Sequence, residues 1–222
     1  SIQLFNPSLK AEGWESPHTV VQVANDDMPF LVDSVTMALA EMGIGVHVLG
    51  HPVIRIRRDK AGKLLAIGEG ERESLMHLEI DRQSQAAMAT IKARLAQALE
   101  DVRAIVADWQ PMQDKMRAVA DELGTRRMPL PDEGKREAQE FLRWAANDHF
   151  TFLGYREYTV RKQGKDEVLV ADEDSGMGLL RGKDSGAPRL LKSLAAHGMP
   201  QSGAVDALIL TKTNARATVH RP

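Results

Sequence analysis

Apolar and polar positions alternate from Thr19 to Ala24, with Val21 and Val23 on one face and Val20, Gln22 and Ala24 on the other, which predicts a half-buried strand. Asn25-Asp26-Asp27-Met28-Pro29 follows. A carboxylate there can cap the first free N–H groups of a helix, and proline is tolerated in a first turn. The helix is expected to reach Met42, because Leu31, Val35, Leu39 and Met42 form one stripe and Gly43 supplies a C-terminal stop. Residues 45–57 predict a second strand with Val46, Val48, Ile54 and Ile56 at even positions, and Pro52 requires an edge location or a bulge near Gly50. Asp59-Lys60-Ala61-Gly62 reads as a turn, Leu64 to Ile67 as a short strand, Gly68-Glu69-Gly70 as a break and Leu75 to Ile80 as a longer strand. From Ser84, Met88, Ile91, Leu95, Leu99, Val102 and Trp109 keep helical spacing, although the β-branched residues in 102–107 leave a strand open there. Met112, Met116, Val119 and Leu123 carry one more helix to Gly124.

The order strand, helix, strand, strand, helix predicts helices on one face of a small sheet. The expected fold class is therefore α+β, a ferredoxin-like βαββα module spanning 18–124 with an extra C-terminal helix, followed by a second, smaller α/β module. Residues 1–17 have no period and read as a lead-in, although Leu4, Phe5 and Trp14 could dock on a neighbour. Residues 125–131, with Arg126, Arg127, Pro129 and Pro131, read as a linker. Beyond it, a helix from Glu133 to Asn147 with core positions Phe141, Leu142, Trp144 and Ala145 precedes a hairpin of Phe150 to Val160 with Glu167 to Ala171, closed at Gln163-Gly164-Lys165. A glycine-rich loop over 172–205, a short helix around Leu190 to Ala196 and a strand at Ala207 to Leu210 complete a 132–222 module expected to be truncated at its C-terminus.

Composition narrows the function. With 29 Lys+Arg against 31 Asp+Glu, the net charge of -2 opposes a nucleic-acid or anionic-membrane partner, both of which need a basic excess. The absence of cysteine removes thiol catalysis and thiolate metal sites, and fits a reducing cytoplasmic location. Ser1 to Lys10 lacks the basic-then-apolar order of a signal peptide, and no apolar run approaches ~18 residues.

Motif chemistry is sparse. His47 and His51 sit four residues apart on a strand, about 13 Å, too far to share an ion. With His77, Leu49 and Val53 they read better as an exposed sheet face that packs on another subunit. Asp148-His149 suits either acid–base chemistry or a helix-end cap with a packed ring. Gly176-Met177-Gly178-Leu179-Leu180-Arg181-Gly182 has the wrong spacing for a dinucleotide fingerprint. Arg55, Arg57, Arg58 and Lys60 form a basic edge suited to a solvated edge strand. The candidate effector site is the turn Asn25, Asp26, Asp27, Met28, Pro29 and Phe30, where a helix N-terminus can receive a carboxylate and the aspartates an α-ammonium group. No catalytic, cofactor-binding or metal-binding residue is expected.

Several ordered blocks carry a family resemblance: Asn25-Asp26-Asp27-Met28-Pro29-Phe30-Leu31-Val32-Asp33-Ser34-Val35, His51-Pro52-Val53-Ile54-Arg55, and Glu73-Ser74-Leu75-Met76-His77-Leu78-Glu79-Ile80-Asp81-Arg82. Phe141-Leu142-Arg143-Trp144, His149 to Tyr158, Thr211-Lys212-Thr213-Asn214 and Val219-His220-Arg221-Pro222 extend it. From about residue 18 onward the chain resembles the N-terminal region of the large bacterial NAD-specific glutamate dehydrogenases. The resemblance implies an ACT-like first module, a second module of PAS-like sensory type, and a catalytic core far along a longer polypeptide. It also implies NAD-dependent deamination of L-glutamate to 2-oxoglutarate and ammonium, with NAD bound in that core and no cofactor in this region. The expected role is regulatory or assembly-forming, with the rest of the polypeptide, further subunits in a homo-oligomer and an amino-acid effector as partners. A purely structural oligomerisation module is the alternative. Ligand-binding ACT turns usually read Asp-x-Pro-Gly; here Asp27-Met28-Pro29 leads into Phe30, a side chain able to fill a pocket.

Overall fold

The computed structural model describes residues 1–125, 131–163 and 166–181, of which 160–163 and 166–169 by backbone alone. The expected linker interior (126–130), hairpin tip (164–165) and everything assigned to 182–222 lie outside the described residues. The fold is mixed α+β with an antiparallel sheet, and the chain divides into two compact units, the first Ser1–Val102 and the second beginning at Arg103.

The first unit is built on β1 (Ile2–Phe5), β2 (Thr19–Asp26), β3 (Val46–Gly50), β4 (Val53–Arg58), β5 (Leu64–Ile67) and β6 (Glu71–Ile80), in the order β1-β2-β6-β4-β5 with β3 also on β6. Opposed pairs Thr19–Ile80, Val21–Leu78, Val23–Met76 and Asn25–Ser74 put one face of β2 and β6 in the core. Helix α1 (Leu31–Glu41) contributes buried Leu31, Val35, Ala38 and Leu39, and the first half of α2 (Gln85–Thr125) contributes Met88, Ile91, Leu95 and Leu99. Arg94 of α2 joins Glu41 of α1 at 2.7 Å.

Local chemistry explains the boundaries. Helix α1 stops one residue before the expected Met42: Gly43 at φ 71° donates to the Ala40 carbonyl at 3.0 Å and Ile44 to Leu39 at 3.0 Å, a paired C-terminal closure that needs a left-handed residue. The expected 45–57 strand is divided at His51-Pro52 into β3 and β4, both paired with β6. Its bulge falls between Val46 and Val48 rather than near Gly50. The lead-in is a correction too. Residues 2–5 form β1 against Val20–Val23, and Asn6 accepts from the buried Thr19 hydroxyl at 2.6 Å while its amide donates to the Gln83 carbonyl at 3.1 Å. Its register is long-range, so no local period announced it.

Helix α2 is a single 41-residue helix where two were expected, and 102–107 lies within it. Pro111 inside the helix removes one N–H donor without ending it, because buried Ile105, Met112 and Met116 on either side continue the same apolar stripe.

In the second unit α3 (Asp132–Trp144) runs into a turn, Ala145–His149, that leaves helical geometry at Asn147, the expected helix end, and at Asp148; β7 (Gly154–Tyr155), β8 (Tyr158–Gln163), β9 (Asp166–Ala171) and β10 (Met177–Gly178) follow. β8 and β9 form the expected hairpin, whereas the strand foreseen from Phe150 to Val160 is absent over 150–153 and interrupted at Arg156-Glu157. Leu142 and Ala146 are buried with Met116 and Ala120, and Ala145 is buried as well. Phe141 and Trp144, expected in this core, are 44% and 47% exposed and lie against each other and Phe150 on the surface. Helical spacing alone could not separate Leu142 from its neighbours.

Candidate functional site

The turn 25–30 closes one end of the first sheet. Asn25 is buried opposite Ser74 and its amide donates to the Asp26 carbonyl at 2.8 Å. Asp26 is exposed and ends β2 opposite Glu73. Asp27 continues the ladder by one position: its main-chain N–H donates to the Arg72 carbonyl at 3.1 Å, and its carboxylate meets the Arg72 guanidinium at 2.9 Å. Met28 is half-buried and Pro29 exposed.

Neither aspartate caps α1. The cap position is Phe30, at φ 68° and ψ 3°, with no side-chain hydrogen bond to the helix. This corrects the sequence expectation on two counts: Asp27 is turned to the sheet by Arg72, and Pro29 precedes the helix instead of opening it. A left-handed phenylalanine is a strained choice where glycine is favoured. The first N–H groups of α1 therefore have no side-chain acceptor at the cap.

Beside the turn lies an open cleft of about 470 Å³, lined by Asp26, Asp27, Arg55, Gly70, Glu71 and Arg72. Arg55 on β4 is the direct cross-strand partner of Arg72 on β6 and donates to the Gly70 carbonyl at 3.2 Å. Gly70, at φ 94°, has to lack a side chain, since a Cβ would lie 2.4 Å from the Ile56 carbonyl oxygen. Arg55, Arg72 and Glu71 were absent from the candidate effector set. In the sequence Arg55 reads only as part of a basic edge and of a family block, Glu71 and Arg72 as neither, and the register that gathers them is tertiary.

The candidate interface residues do not share one face. Leu49 and Val53 oppose Leu78 and Ser74, on the side that carries the core, but at 40% and 37% exposure. His51 is hydrogen-bonded to the Ser74 hydroxyl at 2.5 Å. His77 opposes Gly50 on the other face. His47 donates to Asp81 at 2.8 Å and its ring stacks on His18, with centroids 4.1 Å apart. The Gly45 N–H, at 2.6 Å, and then His47 hold the Asp81 carboxyl below the usual range. Ser16 and then His18 do the same for Glu79. Among the described residues, no group of three His, Cys, Asp or Glu is arranged to hold a metal ion, and no helix is long and apolar enough to cross a membrane.

Asp148-His149 is placed structurally. Asp148 accepts from the Gln113 amide at 2.7 Å, and His149 donates to the Trp144 carbonyl at 2.9 Å with its ring stacked on that indole. The Gly176 to Arg181 segment is pinned by Asp108, which accepts from the Gly178 N–H at 2.7 Å and from the Arg181 guanidinium.

Residues 1–95 match the family profile described as Glutamate dehydrogenase, ACT1 domain. The chain is 38% identical over 188 residues to the NAD-specific glutamate dehydrogenase of Pseudomonas aeruginosa, covering 81% of this chain and 12% of that protein. It is also 35% identical over 231 residues to the protein of the same description from Halomonas elongata, covering 100% of this chain and 14% of that protein. This chain belongs to the NAD-specific glutamate dehydrogenase family. It corresponds to the N-terminal region of those large bacterial enzymes, as the sequence blocks implied. A Mycobacterium tuberculosis relative of the same description is 29% identical over 181 residues, 77% of this chain and 11% of that protein. The chain thus spans about an eighth of the length of these relatives.

Proposed function

We propose that this chain is a non-catalytic regulatory region of an NAD-dependent glutamate dehydrogenase, sensing a small α-amino acid at the turn 25–30 and its adjoining cleft. The parent reaction in this reading is oxidation of L-glutamate by NAD and water to 2-oxoglutarate, ammonium and NADH, in a cytoplasmic homo-oligomer. NAD would bind elsewhere in the longer polypeptide.

The observation that carries the reading is the pairing of signs in one cleft. Asp26, Asp27 and Glu71 line it together with Arg55 and Arg72, so an ammonium and a carboxylate of one zwitterion could be met at once. Phe30, 41% exposed, does not line the cleft, which is left to Gly70 and charged residues. The fold reading is refined in the same proposal. Ser1–Val102 is taken as a ferredoxin-like ACT module in which β1 closes the sheet beside β2, with residues beyond the 125–131 linker forming a PAS-like α/β module. An effector of this kind acts by binding one global state of the enzyme better than another.

A thermal-shift screen of the 222-residue chain against the twenty amino acids and 2-oxoglutarate tests the reading. At 100 times its dissociation constant a ligand adds ~2.7 kcal/mol, which at ~2 to 4 °C per kcal/mol is a rise of roughly 5 to 11 °C. A rise with one amino acid that Asp27→Asn abolishes is expected. No rise with any of them would overturn the sensor reading and leave the purely structural alternative.

A further inference from the structure

Asp27, Arg72 and Arg55 form a single row across neighbouring strands. Asp27 opposes Arg72 one step beyond the end of β2, and Arg72 opposes Arg55 across the β6–β4 ladder. Side chains directly opposed on one face lie close together, and like charges so placed repel. The acid at one end offsets only one of the two guanidinium groups. Among the described residues Arg55 is paired with no carboxylate; its one hydrogen bond runs to the neutral Gly70 carbonyl. Each guanidinium has five N–H donors, both arginines line the cleft, and among the described residues these contacts engage only a minority of the donors.

We infer that Arg55 and Arg72 are the carboxylate-recognising pair of this cleft, a forked site for a small carboxylate-bearing metabolite. A bound carboxylate would bridge the two like charges and relieve their repulsion, which is a thermodynamic reason for the pair to face the cleft. The shared chemistry is the carboxylate, and two sources offer it: an α-amino acid, whose ammonium would also engage Asp26 or Asp27, and a 2-oxo acid, which lacks that group. The inference deepens the sensor reading and rests on it for the identity of the cleft, but it assigns the anchoring to β4 and β6 instead of to the turn.

The test is a titration of the 222-residue chain with L-glutamate and, separately, 2-oxoglutarate, followed through the arginine Nε–Hε resonances and by calorimetry. Saturable movement of the Arg55 and Arg72 resonances is expected. Arg55→Gln and Arg72→Gln should each weaken binding by about tenfold or more, the loss of a charge-assisted contact, while melting temperatures without ligand stay close to that of the parent. Tight binding of glutamate with weak binding of 2-oxoglutarate identifies the amino acid as source, and equal binding identifies the carboxylate alone. Binding that is saturable yet leaves both arginine resonances and both variants unaffected overturns the assignment while sparing the sensor reading. Absence of binding by either probe, together with no thermal shift from any amino acid, overturns both.

Discussion

The carboxylate of Asp27 sits 2.9 Å from the guanidinium of Arg72, and the same two residues share a main-chain hydrogen bond of 3.1 Å. That double tie takes Asp27 away from the helix it precedes and joins it to the sheet. Because Arg72 is 63% exposed, the ion pair itself is weak, in the ~0.2–1 kcal/mol range of solvent-screened pairs. Arg72→Ala is therefore expected to change urea-unfolding stability by less than about 1 kcal/mol while removing the ligand-induced thermal shift. A large stability loss would show that the contact is chiefly structural.

Phe30 holds φ at 68°, a conformation that costs an L-residue about 1–2 kcal/mol. Phe30→Gly should accordingly be more stable than Phe30→Ala by about 1 kcal/mol. Chemical denaturation of the two variants decides it, and equal stability would mean the turn relaxes once the ring is gone.

Acid sensitivity should appear at Asp81, whose folded-state pKa is lowered first by the Gly45 N–H and then by His47. A lowered carboxyl binds its proton less readily in the folded chain than in the unfolded one. Its contribution is thus complete above the ordinary carboxylate range, near ~3.9, and is lost as pH falls through the lower folded-state value. Stability of Asp81→Asn should converge on that of the parent at strongly acidic pH and fall below it near neutrality. Parallel pH profiles for the two proteins would count against the coupling.

Pro111 lies inside α2 and leaves the carbonyl one turn earlier without its usual donor. Pro111→Ala should raise the melting temperature, with a gain of about 1–3 kcal/mol set by the helix-interior penalty of proline. A decrease would show that the surrounding side chains are packed to the ring itself.

In the second unit, Leu142 is 2% exposed and Phe141 44%. Leu142→Ala should cost about 2–5 kcal/mol in calorimetric or denaturant unfolding. Phe141→Ala should cost much less, and a reversal of that order would contradict the assigned helix face.

Much of the first unit was legible because its signals are local. The alternation at Thr19 to Ala24, the stripe of Leu31, Val35 and Leu39, and the stop at Gly43 all act within a few residues, and the structure keeps each of them. The ordered blocks from Asn25 to Arg82 were likewise enough to place the chain in its family, because turn and strand chemistry there is read residue by residue.

The candidate site was legible only in its turn half. Whether Asp27 caps a helix or faces an arginine depends on which residue of a distant strand arrives beside it, and Arg72 is 45 positions away. Pairing register is a property of the assembled sheet, since a one-residue slip would turn every side chain to the opposite face. The same dependence placed β1 beside β2, ran α2 unbroken through Pro111, and exposed Phe141 while burying Leu142. Hydrophobic spacing along the chain names the elements and the residues that seek burial; which partners they meet, and so which charges gather in one cleft, is decided by long-range packing that no local window contains.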